Sequence, residues 1–229
     1  MANDFVEFFN EDMAQNYDDR NKRIAPIKES LHFTLSLILK TLPNDAKILC
    51  VGAGTGEEII YFAKHFPSWS FVALEPSKPM LDVCEKRLKE AEIIDRCTLL
   101  NCYLEDLSNN KKYDAVISLF VGHFISKNER VNYFTRMVSK LLPKGYLVNV
   151  EISFDLNSTN YPLMLEKWVE AQKVMGATAE SLEKLPEQLE EMLTVLAPSI
   201  VETQIKKSGI DNPICFFKAL MVSGWFGQK

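Results

Sequence analysis

The chain has 229 residues, enough for one large domain or for one domain with a sizeable insert. With 26 basic and 31 acidic residues the net charge is −5, so no broad cationic surface exists to neutralise phosphates, and nucleic acid is disfavoured as the main partner. A content of 47% apolar and 25% charged residues excludes a disordered tail, and no apolar run approaches the roughly 18 residues that span a bilayer.

The opening segment, Met1 to Arg20, is acidic and aromatic, unlike a secretory signal with its basic start and apolar middle. Leu31, Leu35, Ile38, Leu39 and Leu42 then share a helical face that Pro43-Asn44 ends. Lys47 to Val51 reads as a strand buried on both faces, and it stops at Gly52. Glu57 to Phe66 follows as a helix, Ser70 to Leu74 as a strand, and Pro79 to Ala91 as a helix. Cys97 to Leu100 and Tyr113 to Ser118 are further strands. Glu129 to Leu142 is predicted helical up to the Pro143-Lys144-Gly145 turn, and Tyr146 to Ile152 is a fifth strand.

Strands alternating with helices of this length predict right-handed βαβ units. The expected fold class is α/β: a Rossmann-like, seven-stranded, mostly parallel sheet with helices on both faces. The alternation breaks at Thr159 to Pro198, which carries two long helical patterns. Met164, Trp168, Ala171 and Met175 share one face, and Leu185, Leu189, Met192, Leu193 and Leu196 another. This stretch has three lysines against seven glutamates. Its stripes read most simply as core or lid packing, with a homodimer interface as the alternative. Ser199 is the expected N-cap of a last helix to Ser208, with Gly209 at its end. Ile214 to Ala219 and Met221 to Phe226 close the sheet. The organisation expected is one domain over residues 1–229, with an N-terminal flap at 1–30 and a helical lid insert at 159–198.

The five cysteines are odd in number, scattered and without a CxxC pair, and three histidines accompany them. This pattern fits a reduced, cytoplasmic protein and argues against zinc. Chemistry concentrates instead in Val51-Gly52-Ala53-Gly54-Thr55-Gly56-Glu57, set between a buried strand and a helix. Glycines there permit a tight turn and a close backbone approach to a ligand. Glu75 lies 19 residues after Gly56, at the end of the next strand, where a carboxylate can accept both ribose hydroxyls. A dinucleotide fingerprint would place its third glycine at position 57, where glutamate stands, followed by Glu58. Two carboxylates at a helix start suit its dipole but repel a pyrophosphate. A nucleoside with a positive centre and no phosphate fits better.

On these residues the chain resembles the class I S-adenosylmethionine-dependent methyltransferases, over about residues 15–152 and in the two closing strands. The resemblance implies S-adenosyl-L-methionine as cofactor. It implies that Gly52, Ala53, Gly54, Thr55 and Gly56 cradle it, that Glu75 with Pro76 and Ser77 holds the ribose, and that Met80 packs on adenine. The family's adenine-reading acid aligns with Tyr103, so Leu104 through its amide, with Tyr103 or Glu105, is expected to read the base. The methyl group would emerge near Leu119, Phe120 and Glu151. Tyr17 and Arg23 look like the flap that covers the methionine end; a solvated amphipathic helix is the plainer reading. His123 is the candidate general base, although a lone histidine near a strand end serves more often as a hydrogen-bonded structural group.

The resemblance therefore implies in-line methyl transfer to a small molecule, with the acidic insert disfavouring a polyanionic acceptor. Competing readings are a nicotinamide-dependent oxidoreductase, opposed by Glu57, and a non-catalytic S-adenosylmethionine-binding protein. The tail, with Val201-Glu202-Thr203 and an aromatic strand pair, is similar in layout to the carboxy-S-adenosylmethionine synthases of wobble-uridine modification, which makes an RNA-modification role a further alternative. Their glycine motif differs from this one.

Overall fold

The computed structural model describes residues 9–108 and 110–229. The first eight positions of the expected flap lie outside the described residues. Helices α1 (Glu11–Lys22) and α2 (Ala25–Leu39) lead into β1 (Lys47–Val51), α3 (Glu57–His65), β2 (Ser70–Leu74), α4 (Lys78–Glu90) and β3 (Cys97–Leu100). Then come β4 (Tyr113–Leu119), α5 (Arg130–Ser139), β5 (Leu141–Ile152), α6 (Tyr161–Val174), α7 (Ala179–Glu183), α8 (Pro198–Lys207), β6 (Ile214–Ala219) and β7 (Val222–Gln228); Leu185–Glu187 and Gln188–Met192 form helical turns between α7 and α8. The seven strands make one sheet in the order β3-β2-β1-β4-β5-β7-β6. The first five run parallel, and β7 pairs antiparallel with both β5 and β6.

The apolar run of β1 is explained by its place between β2 and β4. Ile48 and Cys50 enter a core with Leu31 and Leu35 of α2, Ile59 and Phe62 of α3, and Cys84 and Leu88 of α4. Leu49 and Val51 face the opposite core, with Phe134 and Met137 of α5 and Val201 and Ile205 of α8. Period-two alternation with both faces covered is what a parallel strand requires. Chain order reverses between β1 and β4, and in an open α/β sheet such a reversal is where a crevice forms beyond the carboxyl ends of the strands.

Four boundaries differ from the sequence expectation. The flap limit at residue 30 falls inside α2, whose Leu31, Leu35 and Leu39 are core residues. Helix α5 ends at Ser139 rather than Leu142, because Leu141 is drawn into the sheet opposite Tyr113. The strand then passes Lys144, at φ +65°, before regaining register at Ala115↔Tyr146. Ser199 does not cap α8: Pro198, which has no N–H to satisfy, takes the first turn after Ala197. The second long helix of the insert is instead α7 and two turns, interrupted at Leu185-Pro186. Even so, Trp168, Leu185 and Leu189 join the main core, and Ser153 Oγ donates to Leu196 O at 2.7 Å. The insert is seated on the sheet, with Met192 left 54% exposed. Among the described residues no helix is long and apolar enough to cross a membrane.

Candidate cofactor and acceptor sites

The loop after β1 is held by backbone. Gly52 N–H and Ala53 N–H both donate to Leu74 O, at 2.8 and 2.9 Å, and Gly56 N–H donates to Ala53 O at 2.9 Å. Gly52, Gly54 and Gly56 have φ of +70°, +53° and +77°, a region where a Cβ is penalised. A Cβ at Gly52 would lie 2.4 Å from Val121 Cγ2, and one at Gly56 would lie 2.6 Å from Cys84 Sγ. At Gly54 its nearest neighbour would be Met80 Cε, at 3.6 Å. Two glycines are thus required by packing, whereas the third leaves a cradle beside Met80.

Glu75 closes β2 and is 7% exposed. Its Oε2 accepts from Gly54 N–H and its Oε1 from Ser77 N–H, each at 2.9 Å. Burial raises its pKa, and the two amide bonds oppose that shift. Behind it, Asn101 Nδ2 donates to Glu75 O and Pro76 O, both at 2.9 Å. Asn101 was missed in the sequence, since an exposed asparagine after a strand reads as a turn. Further along, Leu104 is buried, Glu105 is exposed, and Tyr103 N–H donates to Asp106 Oδ2 at 3.0 Å.

Helix α4 presents one face to the loop. Met80 meets Gly54 and Cys84 meets Gly56, and Arg87 Nη1 donates to Thr55 O and Oγ1 at 3.0 and 2.8 Å. Spacings of four and three residues put these side chains on one stripe. From α1, Asp18 Oδ1 accepts from Thr55 Oγ1 at 2.8 Å and its Oδ2 pairs with Arg87 at 2.8 Å. Glu57 at the start of α3 pairs with Lys28 of α2. Phe9 O accepts from Ser77 Oγ at 2.7 Å, and the Phe9 ring meets Tyr17 and Phe124 edge-on. The expected flap residues therefore diverge. Tyr17 is part of the Phe9 cluster, whereas exposed Arg23 reaches Val174 O at 3.5 Å, on the insert.

The second half of the crevice rests on buried charge. Leu119 ends β4 and Phe120 follows it at φ +60°, an outlier for a side chain of its size. Its N–H donates to Val150 O at 2.7 Å. Beneath the next turn Arg130 pairs with Glu151, both fully buried, and Asn149 Nδ2 donates to Glu151 Oε2 at 2.9 Å. Arg130 also donates to Ile125 O at 3.2 Å and to Thr194 O at 2.9 Å. A Cβ at Gly122 would lie 1.9 Å from Glu151 Oε2. His123 is 4% exposed, and its Nδ1 accepts from Ile152 N–H at 3.3 Å. Burial and the Arg130 charge hold its pKa down at about 3. The general-base expectation meets an imidazole that stays neutral and already uses its Nδ1 lone pair.

A methyltransferase domain model matches residues 48–145. The chain carries this methyltransferase-domain match within a Rossmann-like fold shared with solved methyltransferases. A carboxy-S-adenosyl-L-methionine synthase of Campylobacter hominis is 23% identical over 92% of the chain and 89% of the relative. One from Ruthia magnifica is 24% identical over 99% and 96%. The magnesium protoporphyrin IX methyltransferase of Synechocystis, solved with S-adenosylhomocysteine, superposes with a TM-score of 0.72 at 14% identity, over 100% of this chain and 99% of that one. An O-methyltransferase-like structure from Nostoc punctiforme gives 0.68 at 13% identity, covering 90% of this chain but 58% of that one.

Proposed function

We propose that this chain is an S-adenosylmethionine-dependent methyltransferase that binds its cofactor along the Gly52–Gly56 loop and Glu75, and carries the methyl group in line to a small neutral or cationic acceptor beyond β4 and β5. The observation that carries the reading is the Glu75 carboxylate, fixed by Gly54 and Ser77 amides beside the open side of Gly54. A carboxylate so placed retains lone pairs for two ribose hydroxyls. The residues fit the group: Met80 supplies an apolar wall and Leu104 a buried shoulder, and Gly54 supplies room for close approach.

The sulfonium, when bound, supplies an activated methyl group whose carbon–sulfur electron pair returns to sulfur on transfer. The chain's own task is alignment, which can supply most of the catalysis of such a displacement. Phe120 and Val121, held over the crevice by Val150 O and the Arg130–Glu151 pair beneath, set where an acceptor meets the methyl carbon. His123 acts as a brace between this turn and the end of β5, so the acceptor must bring its own lone pair. The insert's excess of glutamate favours a neutral or cationic molecule over a polyanion.

A second reading, that the protein makes or uses a carboxylated S-adenosylmethionine, is favoured by the two relatives that match along nearly their whole length. An added carboxylate calls for a cation near the sulfonium. Arg130, buried beneath the β4 end of the crevice, is already committed to Glu151, Ile125 O and Thr194 O, and Arg87 to Thr55 and Asp18, which supports the plain cofactor. Calorimetry with S-adenosylhomocysteine, and mass spectrometry of ligand extracted from the purified protein, test both. Micromolar binding and an extracted mass of the plain cofactor are expected. An extracted carboxylated form selects the second reading, and thermal stabilisation by NAD alone overturns both.

A further inference from the structure

The site described above accounts for the loop and Glu75 but leaves unexplained why a side chain from α1 reaches 37 residues ahead to Thr55. Thr55 is 2% exposed, at the centre of the glycine loop. Its hydroxyl donates to Asp18, while its carbonyl and hydroxyl oxygens both accept from Arg87 of α4. Asp18 and Arg87 pair directly, so the three side chains form a closed triangle joining α1, the loop and α4. The same N-terminal stretch touches Ser77 through Phe9 O and the insert through Arg23. Asp18 thus lies on a strap that touches the start of α4 at one end and the insert at the other.

We propose that Asp18 is a positioning residue: its carboxylate latches α1 onto the cofactor loop through Thr55 and Arg87, and this latch sets how fast the bound cofactor leaves. The inference rests on the cofactor lying along the Gly52–Gly56 loop, as argued above. Three features favour a latch over a permanent structural tie. Both partners of the ion pair are about a quarter exposed, at 24% for Asp18 and 26% for Arg87. The pair borders a small cavity of about 130 Å³ lined also by Lys22, Ala25, Lys28 and Glu57, so water and salt reach it. Finally, α1 is polar in composition, and Ala14 is the buried residue among its described side chains. A partly hydrated pair of this kind is weakened by salt more than a buried one is.

The test uses the full chain and the variants Asp18→Asn, Asp18→Glu and Arg87→Gln. The expected result is a dissociation rate for S-adenosylhomocysteine about tenfold faster in Asp18→Asn and in Arg87→Gln, with no further increase in the double variant. Asp18→Glu should recover most of the loss, and the wild-type rate should rise with ionic strength while that of Asp18→Asn does not. Hydrogen exchange of residues 11–22 without ligand should quicken in both charge-removing variants. Faster exchange with an unchanged dissociation rate overturns the inference, because α1 would then be tied for stability alone. Unchanged exchange and unchanged dissociation overturn it as well. A wild-type protein that binds no S-adenosylhomocysteine overturns the reading of the site itself, and the inference with it.

Discussion

The two halves of the crevice are built by opposite means. At the ends of β1 and β2 the site is backbone: three glycines at positive φ, paired amides on Leu74 O, and a carboxylate held by two further amides. At the ends of β4 and β5 it is buried side-chain charge: Arg130, Glu151 and Asn149 beneath Gly122, with His123 bracing Ile152. A backbone cradle demands particular residue types at adjacent positions, so it is written locally in the chain. A buried ion pair joins residues far apart, and either partner alone resembles any surface charge. The first construction fixes what is bound, and the second fixes the shape of the space next to it.

If that contrast is right, the largest effect of a single change should be on stability and should come from the second half. Glu151→Ala leaves the Arg130 guanidinium buried and uncompensated, which costs about 3–5 kcal/mol. Urea denaturation should show this loss as a lower midpoint. The folded protein should still bind S-adenosylhomocysteine within a few-fold, because the loop and Glu75 lie across β1. A large loss of binding in the folded variant would show that the two halves are not separable.

The converse change sits in the first half. Glu75→Ala should weaken S-adenosylhomocysteine at least tenfold, since a charge-assisted hydrogen bond contributes about 1.5–3 kcal/mol. Calorimetry on a variant shown to be folded by circular dichroism decides it, and equal affinity would remove Glu75 from the site. The same division explains what was legible in the sequence. The βαβ order, the loop and Glu75 were all readable, because each rests on neighbouring residues and a short period. Asp18, Arg87 and Arg130 were not, since their partners lie 37, 32 and 21 residues away. The end of α5 was misplaced for a related reason: Leu141 satisfies a helical stripe locally, yet pairing with Tyr113 captures it for β5. The likeness to carboxy-S-adenosylmethionine synthases, faint in the tail beside the glycine motif, extends over 92% and 99% of the chain in two relatives.

A smaller effect should appear in the pH dependence of stability. His123 has a folded pKa of about 3 against an ordinary 6.5, so on acidification the unfolded chain takes up a proton first. Its contribution to stability is therefore full above about pH 6.5 and falls as pH drops towards 3, by at most about 1.4 kcal/mol per pH unit. His32, held at about 4 by burial, acts in the same direction. Glu58, raised to about 7, acts oppositely and loses stability as pH rises. Comparing the wild type with His123→Asn cancels both, since asparagine can keep an acceptor for Ile152 N–H without titrating. The wild-type slope between pH 4 and 6 should be steeper than that of the variant. Parallel slopes would mean that the imidazole is open to protons, and its candidacy as a base would return.

The smallest effect is expected at Arg23, where the two halves make different demands. A flap arginine over the methionine end of the cofactor should matter strongly to binding. In the structure, however, Arg23 is exposed and its Nη1 lies 3.5 Å from Val174 O, at the end of α6. Nearby Gly176, at φ +89°, has space over it that the guanidinium fills: a Cβ there would lie 2.9 Å from Arg23 Nη1. A contact of that length at the surface contributes within about 0.5 kcal/mol. Arg23→Ala should therefore shift the unfolding midpoint little and change S-adenosylhomocysteine affinity by less than about threefold. A tenfold loss would place the guanidinium over the ligand after all, which would require the end of α1 to swing from the insert to the glycine loop when the cofactor binds.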